Sequence, residues 1–375
     1  MGPMRYRMQV VVALIAALPA GPAIAQNGAQ QTWPPLVVPA PPPPPPPVAA
    51  PTPGAPSETV NGHGHPSRRT LRGHEFLSPT TIDSPFIQTV FDTRTGARAE
   101  TVDDVPIGNR INDLHALGVR ESFTFDVAVN DVWGVGVSGF GQFGTGTSPR
   151  ALALIGASYA YGAVLDGMLR VFRIEESGTQ ASLRAQLFGA QGGQRLTLVP
   201  FLRSVRNMPA QTVAALITNF GELIEVPASW YGGAASFNVA QAITPLIGIQ
   251  ASFRLDLRRF HQAPFVPGVG RVDVDSTGWL PSVGVAVDIR PPDSPVAFIA
   301  EYRTAAQDSN DPTSRAHHLV GVGVYYVAQH DLELGLNGAG EFGLPPITGI
   351  DADGNPVDSK RGKALTGQFV LRYFW

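Results

Sequence analysis

The sequence predicts an all-β protein: a transmembrane up-and-down antiparallel β-barrel of about twelve strands, preceded by a disordered, proline-rich linker. Three observations predict it. From about residue 120 onward apolar and polar residues alternate strictly, the mark of strands with two unlike faces. Short and long connections alternate along the same region, as they do where tight turns close one end of a barrel and larger loops the other. No stretch beyond residue 26 is long and apolar enough for a membrane helix, so a closed barrel is the spanning solution that remains.

Composition narrows the function classes. The 375 residues carry a net charge of -3 and only 15% are charged, so no basic field points to nucleic acid. Cysteine is absent, which removes disulfides, thiol catalysis and thiolate metal sites.

Residues 1–25 read as a signal peptide. Arg5 and Arg7 supply the positive end, Met8 to Leu18 is a short apolar run, and Ala23-Ile24-Ala25 is an A-x-A cleavage site. Residues 26–83 read as a periplasmic linker. Its core, WPPLVVPAPPPPPPPVAAPTPGAP, has a fixed φ and few amide donors, so it is expected as an extended polyproline II rod. A spacer is one reading of it, and a docking ligand for a periplasmic partner is the other. His63, His65 and His74 stand in the following polar stretch without a carboxylate at regular spacing, so no metal site is assigned.

Residues 84–375 read as the barrel. In LIGIQASFRLDLRRF, Ile247, Ile249, Ala251, Phe253, Leu255 and Leu257 share one face, while Gln250, Arg254, Asp256 and Arg258 share the other. The first face fits lipid and the second water. Hairpins of this kind turn at Asn130-Asp131, Glu175 to Gln180, Ala242 to Pro245, Pro291 to Pro295 and Gln329 to Asp331, with the residues that tight reversals use. Five hairpins give ten strands. Ala364 to Trp375 adds an eleventh, and Pro85 to Asp92 is read as a first, twelfth in number. Long connections are expected at Thr93 to Gly118, Thr145 to about Ala163, Gln191 to Trp230, His261 to Thr277, Ala306 to Ala316 and Leu344 to Lys363. A soluble sandwich would give no reason for this segregation of lengths.

With its signal sequence, hairpin layout and terminal aromatic strand, the chain resembles the Gram-negative outer-membrane β-barrels. The likeness covers residues 84–375, and its porin-like transporter layout includes that of phenol-degradation transporters. The resemblance implies an outer-membrane location, in contact with membrane lipid and lipopolysaccharide. It also implies that Phe369, Leu371, Tyr373 and Trp375 are read by the barrel-assembly machinery, although the class most often ends in Phe.

The polar faces place Asp126, Asp166, Arg170, Arg184, Arg254 and Asp256 in the lumen, with Arg258, Asp288, Glu301, Arg303, Glu333, Glu341 and Arg372. Two readings of these mixed charges stay open: they line a water-filled passage and set its selectivity, or they pair across the interior and close it. Val213, Leu216, Ile217, Phe220 and Ile224 recur at helical spacing in one long connection. A helix there would narrow the mouth or cap the rim.

Other motifs are set aside. Gly134-x-Gly136-x-x-Gly139 lies within a strand rather than between a strand and a helix, where a dinucleotide needs it. Asp351-x-Asp353-Gly354 lacks the closing glutamate of a calcium loop. His317, His318 and His330 have no nucleophile beside them in a catalytic pattern. The expected function is therefore a passive channel or small-solute transporter, with no enzyme activity and no cofactor. The alternatives are a closed structural or adhesion barrel working through its external loops and, further off, an outer-membrane hydrolase. An autotransporter is not expected, because only the linker precedes the barrel.

Overall fold

The computed structural model describes residues 68–375, apart from 109, 150, 153–155, 196–224, 264, 267–269, 292–293, 307–315, 345–347 and 352–355. The expected signal peptide, the proline-rich core and the helix at Val213 to Ile224 lie outside the described residues.

Twelve antiparallel strands form one closed barrel. They are β1 (Val90–Gly108), β2 (Arg110–Ala128), β3 (Trp133–Gly146), β4 (Ala157–Ile174), β5 (Thr179–Arg195) and β6 (Glu225–Ala242). The second half is β7 (Ile247–Gln262), β8 (Val274–Ile289), β9 (Val296–Ala305), β10 (His317–Gln329), β11 (Leu332–Leu344) and β12 (Gly362–Phe374). Each pairs with its sequence neighbours, and β12 closes on β1 from Lys363↔Thr101 to Phe374↔Val90. Every strand is long enough to cross a hydrocarbon layer at the usual tilt.

Alternation sorts the side chains as the sequence implies. Phe253, Trp279, Val283, Val322 and Leu336 point outward and are exposed. Outward aromatic residues gather near both ends, with Phe125, Trp133, Tyr326 and Trp375 towards the short turns and Tyr161, Tyr231, Trp279 and Tyr302 towards the loops. An apolar band between two aromatic girdles is the surface that a membrane-spanning barrel presents to lipid. One outward residue breaks the band. Glu121 is exposed between Val119 and Phe123, level with Thr95 on β1 and Gly141 on β3.

The five short turns fall where the sequence places them. The first strand does not. The expected strand over Pro85 to Asp92 begins at Val90 and runs on to Gly108, and the expected connection Thr93 to Gly118 is strand as well. The alternation is real but its outward row, Thr93, Thr95, Ala97 and Ala99, is small and only weakly apolar, so the hydrophobic period is faint. A bulge between Val102 and Val105, with Asp104 at φ 57°, interrupts the ladder near the loop end, and pairing resumes to Ile107↔Arg110. There Val102, Val105 and Leu114 bury themselves with Ala151. In the last long connection, Thr348–Asp351 pairs with Pro356–Asp358; Asp353 and Gly354 between them lie outside the described residues.

Two substitutions separate the faces by opposite signs. Phe253→Arg puts a cation at the lipid face and should destabilise the folded barrel by about 2–4 kcal/mol. Glu121→Leu removes a carboxylate from that face and should stabilise it. Urea unfolding in lipid vesicles, followed by tryptophan fluorescence, reads both midpoints.

Candidate functional site: the occupied lumen

The short-turn half of the lumen is filled by the chain itself. Residues 68–89, expected to belong to a disordered linker ending at 83, enter the barrel at the short-turn end, climb to Asp83 and return to start β1. The domain boundary therefore lies near residue 67 instead of 84. The segment folds because the barrel supplies what its own length cannot. Phe76, Leu77 and Phe86 are buried, packed with Ala240 and Ala242 on one side and with Ala286, Ile299 and Tyr325 on the other.

The entry is a small hairpin, Thr70–Leu71 against His74–Glu75. Its two turn residues, Arg72 and Gly73, both have positive φ, the geometry of a tight two-residue reversal. This hairpin touches the barrel around the whole short-turn rim. Arg68 reaches Asp131 at 3.5 Å, and Arg173 donates to the Thr70 carbonyl at 2.8 Å. His74 Nδ1 lies 3.1 Å from the Pro245 carbonyl, and Glu75 meets Arg290 at 2.7 Å and His330 at 3.3 Å. Those partners stand at the β2–β3, β4–β5, β6–β7, β8–β9 and β10–β11 reversals. Arg69 lies over the Phe374 ring, 3.8 Å from its centroid, beside the closing strand.

Deeper contacts are with wall carboxylates. Glu333 receives Arg69 from the segment and Arg372 from β12, the latter at 3.1 Å. Arg372 also donates to Asp92 at 3.0 Å, and Arg94 holds the same carboxylate at 2.6 Å. Asp288 accepts from His74 Nε2 at 2.7 Å and from the Leu77 amide at 3.2 Å. Glu301 accepts five bonds of 2.6–3.0 Å from four donors, the amides and hydroxyls of Thr80 and Thr81, with the Thr80 amide shared between both oxygens. At the tip, Asp83 meets Arg254 at 3.2 Å, and Arg184 ties Asp126 and Asp166 together at 3.0 and 2.9 Å.

Glycine makes the space. A Cβ on Gly284 would stand 2.3 Å from Ile82, and one on Gly248 would stand 2.5 Å from His74 and Phe76. Beside the tip lies a cavity of about 30 Å³ lined by Asp83, Ser252, Arg254 and Arg303, enough for water and too small for a solute.

The inward charges divide by depth. Near the short turns stand the carboxylates Asp92, Asp126, Asp166, Asp288, Glu301 and Glu333 against Arg94, Arg184 and Arg372. Towards the loops stand Arg98, Arg120, Arg254, Arg258 and Arg303 against Glu100, Asp256 and Glu341. In that outer half Arg98 pairs with Glu341 at 2.8 Å, while Arg258 and Arg120 lie over Phe188 and Phe140. Of the thirteen residues expected in the lumen, twelve meet in these two zones. Arg170 does not: it stays in register with the inward Ser182 but lies one residue beyond the last β3–β4 pair, Trp133↔Leu169, so it stands at the short-turn rim near Asp131 and Arg173.

Sequence reasoning missed Arg69, His74, Thr80, Thr81 and Asp83 because the segment has no strand period. The signal that could have found them was apolar content, since Leu71, Phe76, Leu77, Ile82, Phe86 and Ile87 are too many for a solvated linker. Asp92, Arg94, Arg98, Glu100 and Arg120 were missed with the faint first hairpin.

No protein-family model matches the chain, and no curated protein matches it. Solved barrels do align with it. The translocator domain of the autotransporter NalP from Neisseria meningitidis aligns at 9% identity over 78% of this chain and 91% of that one, with a TM-score of 0.45. A FadL homologue from Pseudomonas aeruginosa aligns at 13% identity over 78% and 93%, also at 0.45. The toluene transporter TodX of P. putida aligns at 11% identity over 77% and 90%, at 0.37.

Two arginines on Glu333 should behave differently. Arg372→Met strips a fully buried pair from the wall and should cost the barrel about 3–5 kcal/mol, read as a lower urea midpoint. Arg69→Met should leave that midpoint nearly unchanged but speed trypsin cleavage after Arg72.

Proposed function

We propose that the protein is an outer-membrane channel or solute transporter that is closed at rest by residues 68–88 and conducts when they withdraw. The single observation that carries this reading is the entry segment's contact with all five short-turn ends, which closes one end of a charge-lined cylinder. A barrel needed only as a rigid support could fill its interior with side chains from the wall. Here the wall instead carries glycine at Gly248 and Gly284, opposite the segment.

In this reading the short turns face the periplasm and the proline-rich stretch is a periplasmic tether, through which a partner can pull on the segment. The outward residues Phe369, Leu371, Tyr373 and Trp375 at the closing strand are the assembly signal. The charges of the loop half then face incoming solute, and those of the short-turn half are covered until release.

Planar-bilayer recording tests it. The unchanged chain should show rare, small openings. Deletion of residues 68–88, with folding verified by heat-modifiable migration, should give steady single-channel currents. A folded, inserted deletion variant that stays silent would leave the closed structural barrel as the function.

A further inference from the structure

Among the inward carboxylates, Asp288 and Glu301 are alone in their dependence on the segment. Asp92, Asp126, Asp166 and Glu333 each keep a wall guanidinium if residues 68–88 leave. Asp288 is paired only with His74 and the Leu77 amide, and Glu301 only with Thr80 and Thr81. Both are buried, 0% and 3% exposed. Even with the segment in place, Asp288 Oδ1 is buried without a hydrogen-bond partner.

An ionised carboxylate in such a place needs donors or positive charge. The segment supplies a ring of donors to Glu301 and an imidazole to Asp288, and it brings Arg68, Arg69 and Arg72 to the mouth of the same zone. It delivers what an ammonium or guanidinium solute would deliver: several N–H or O–H donors converging on a carboxylate. Six wall carboxylates stand in this half-lumen, four of them paired with Arg94, Arg184 or Arg372, with Arg290 at the rim and Arg303 at the boundary with the loop half, where arginines outnumber carboxylates.

We propose that Asp288 and Glu301 form a binding station for an organic cation, an amine or guanidinium-bearing solute, and that residues 68–88 occupy it at rest as an internal substitute. This deepens the occluded-channel reading by naming the solute class and the competition that would open the path. A cation arriving at the station displaces Thr80, Thr81 and His74, and the segment, still joined to β1, swings towards the short-turn rim.

Spermidine is a suitable probe, and the first arm uses the unchanged chain in detergent. Spermidine should speed trypsin cleavage after Arg72 severalfold over sodium chloride of equal ionic strength, and phosphate should not. The double variant Asp288→Asn/Glu301→Gln should lose the difference between spermidine and salt. The second arm uses Gly248→Ala/Gly284→Val, which crowds the segment out while leaving its sequence intact. Spermidine added from the short-turn side should block that variant's current, and the Asp288→Asn/Glu301→Gln changes should weaken the block at least tenfold. Equal cleavage in spermidine and in salt would overturn the cation site, as would a block indifferent to the two carboxylates. A silent but folded Gly248→Ala/Gly284→Val barrel defeats the channel reading, and the trypsin arm then decides the cation site by itself.

Discussion

The ladder between β12 and β1 is the constraint on which the rest of the molecule depends. Hydrocarbon offers no hydrogen bonds, so an unpaired strand edge inside a bilayer costs several kcal/mol for each exposed backbone group. Pairing from Lys363↔Thr101 to Phe374↔Val90 removes the last edge. Once the sheet is a cylinder, each residue faces lipid or lumen, and a register slip of one would exchange the two for a whole strand. The rows from Ile247 to Leu257 and from Gln250 to Arg258 show how completely chain composition obeys that choice.

Closure creates a second problem, because a twelve-stranded cylinder has an interior wider than opposing side chains fill. Two solutions share this lumen. Where wall groups can reach one another, they cross-link: Arg184 joins β5 to Asp126 of β2 and Asp166 of β4, and Arg372 joins β12 to β1 and β11. Where glycine sets the wall back, the chain's own residues 68–88 enter, and Phe76, Leu77 and Phe86 find a core that no solvated linker could offer. The cross-interior ion pairs that the sequence left as one alternative are thus present, and the segment fills the space that they leave.

How much of this was legible follows from the same physics. Strand faces and short turns could be read because one environment, lipid, selects a single chemical type at every second position. Phe253, Trp279 and Leu336 announce themselves. The first hairpin was hard to read because its outward row is threonine and alanine, so Thr93 to Ala99 carries only a weak period. The charges of the lumen could be assigned to a face but not to partners. Which arginine meets which carboxylate depends on shear and strand stagger, and Arg170 shows the cost: on the inward row, it falls one residue past the end of the β3–β4 ladder and so stands at the rim. The internal segment was illegible as structure because its order is borrowed. It has two-residue strands, prolines at 79 and 85, and donors at Thr80 and Thr81 whose acceptor lies 220 residues away.

Covalent order explains how this segment comes to occupy the lumen. It immediately precedes β1, so its return limb ends at the strand that closes the barrel, and Trp375 donates its backbone amide to Thr89 at 3.2 Å where the two chain regions meet. The occupant is therefore held at effectively millimolar or higher local concentration by its own tether, and needs little intrinsic affinity to stay. That same tether limits how far it can leave. Besides the buried Phe76, Leu77 and Phe86, its contacts are a circle of polar bonds at the rim around Asp288 and Glu301, and none of them is a ladder bond of the twelve strands.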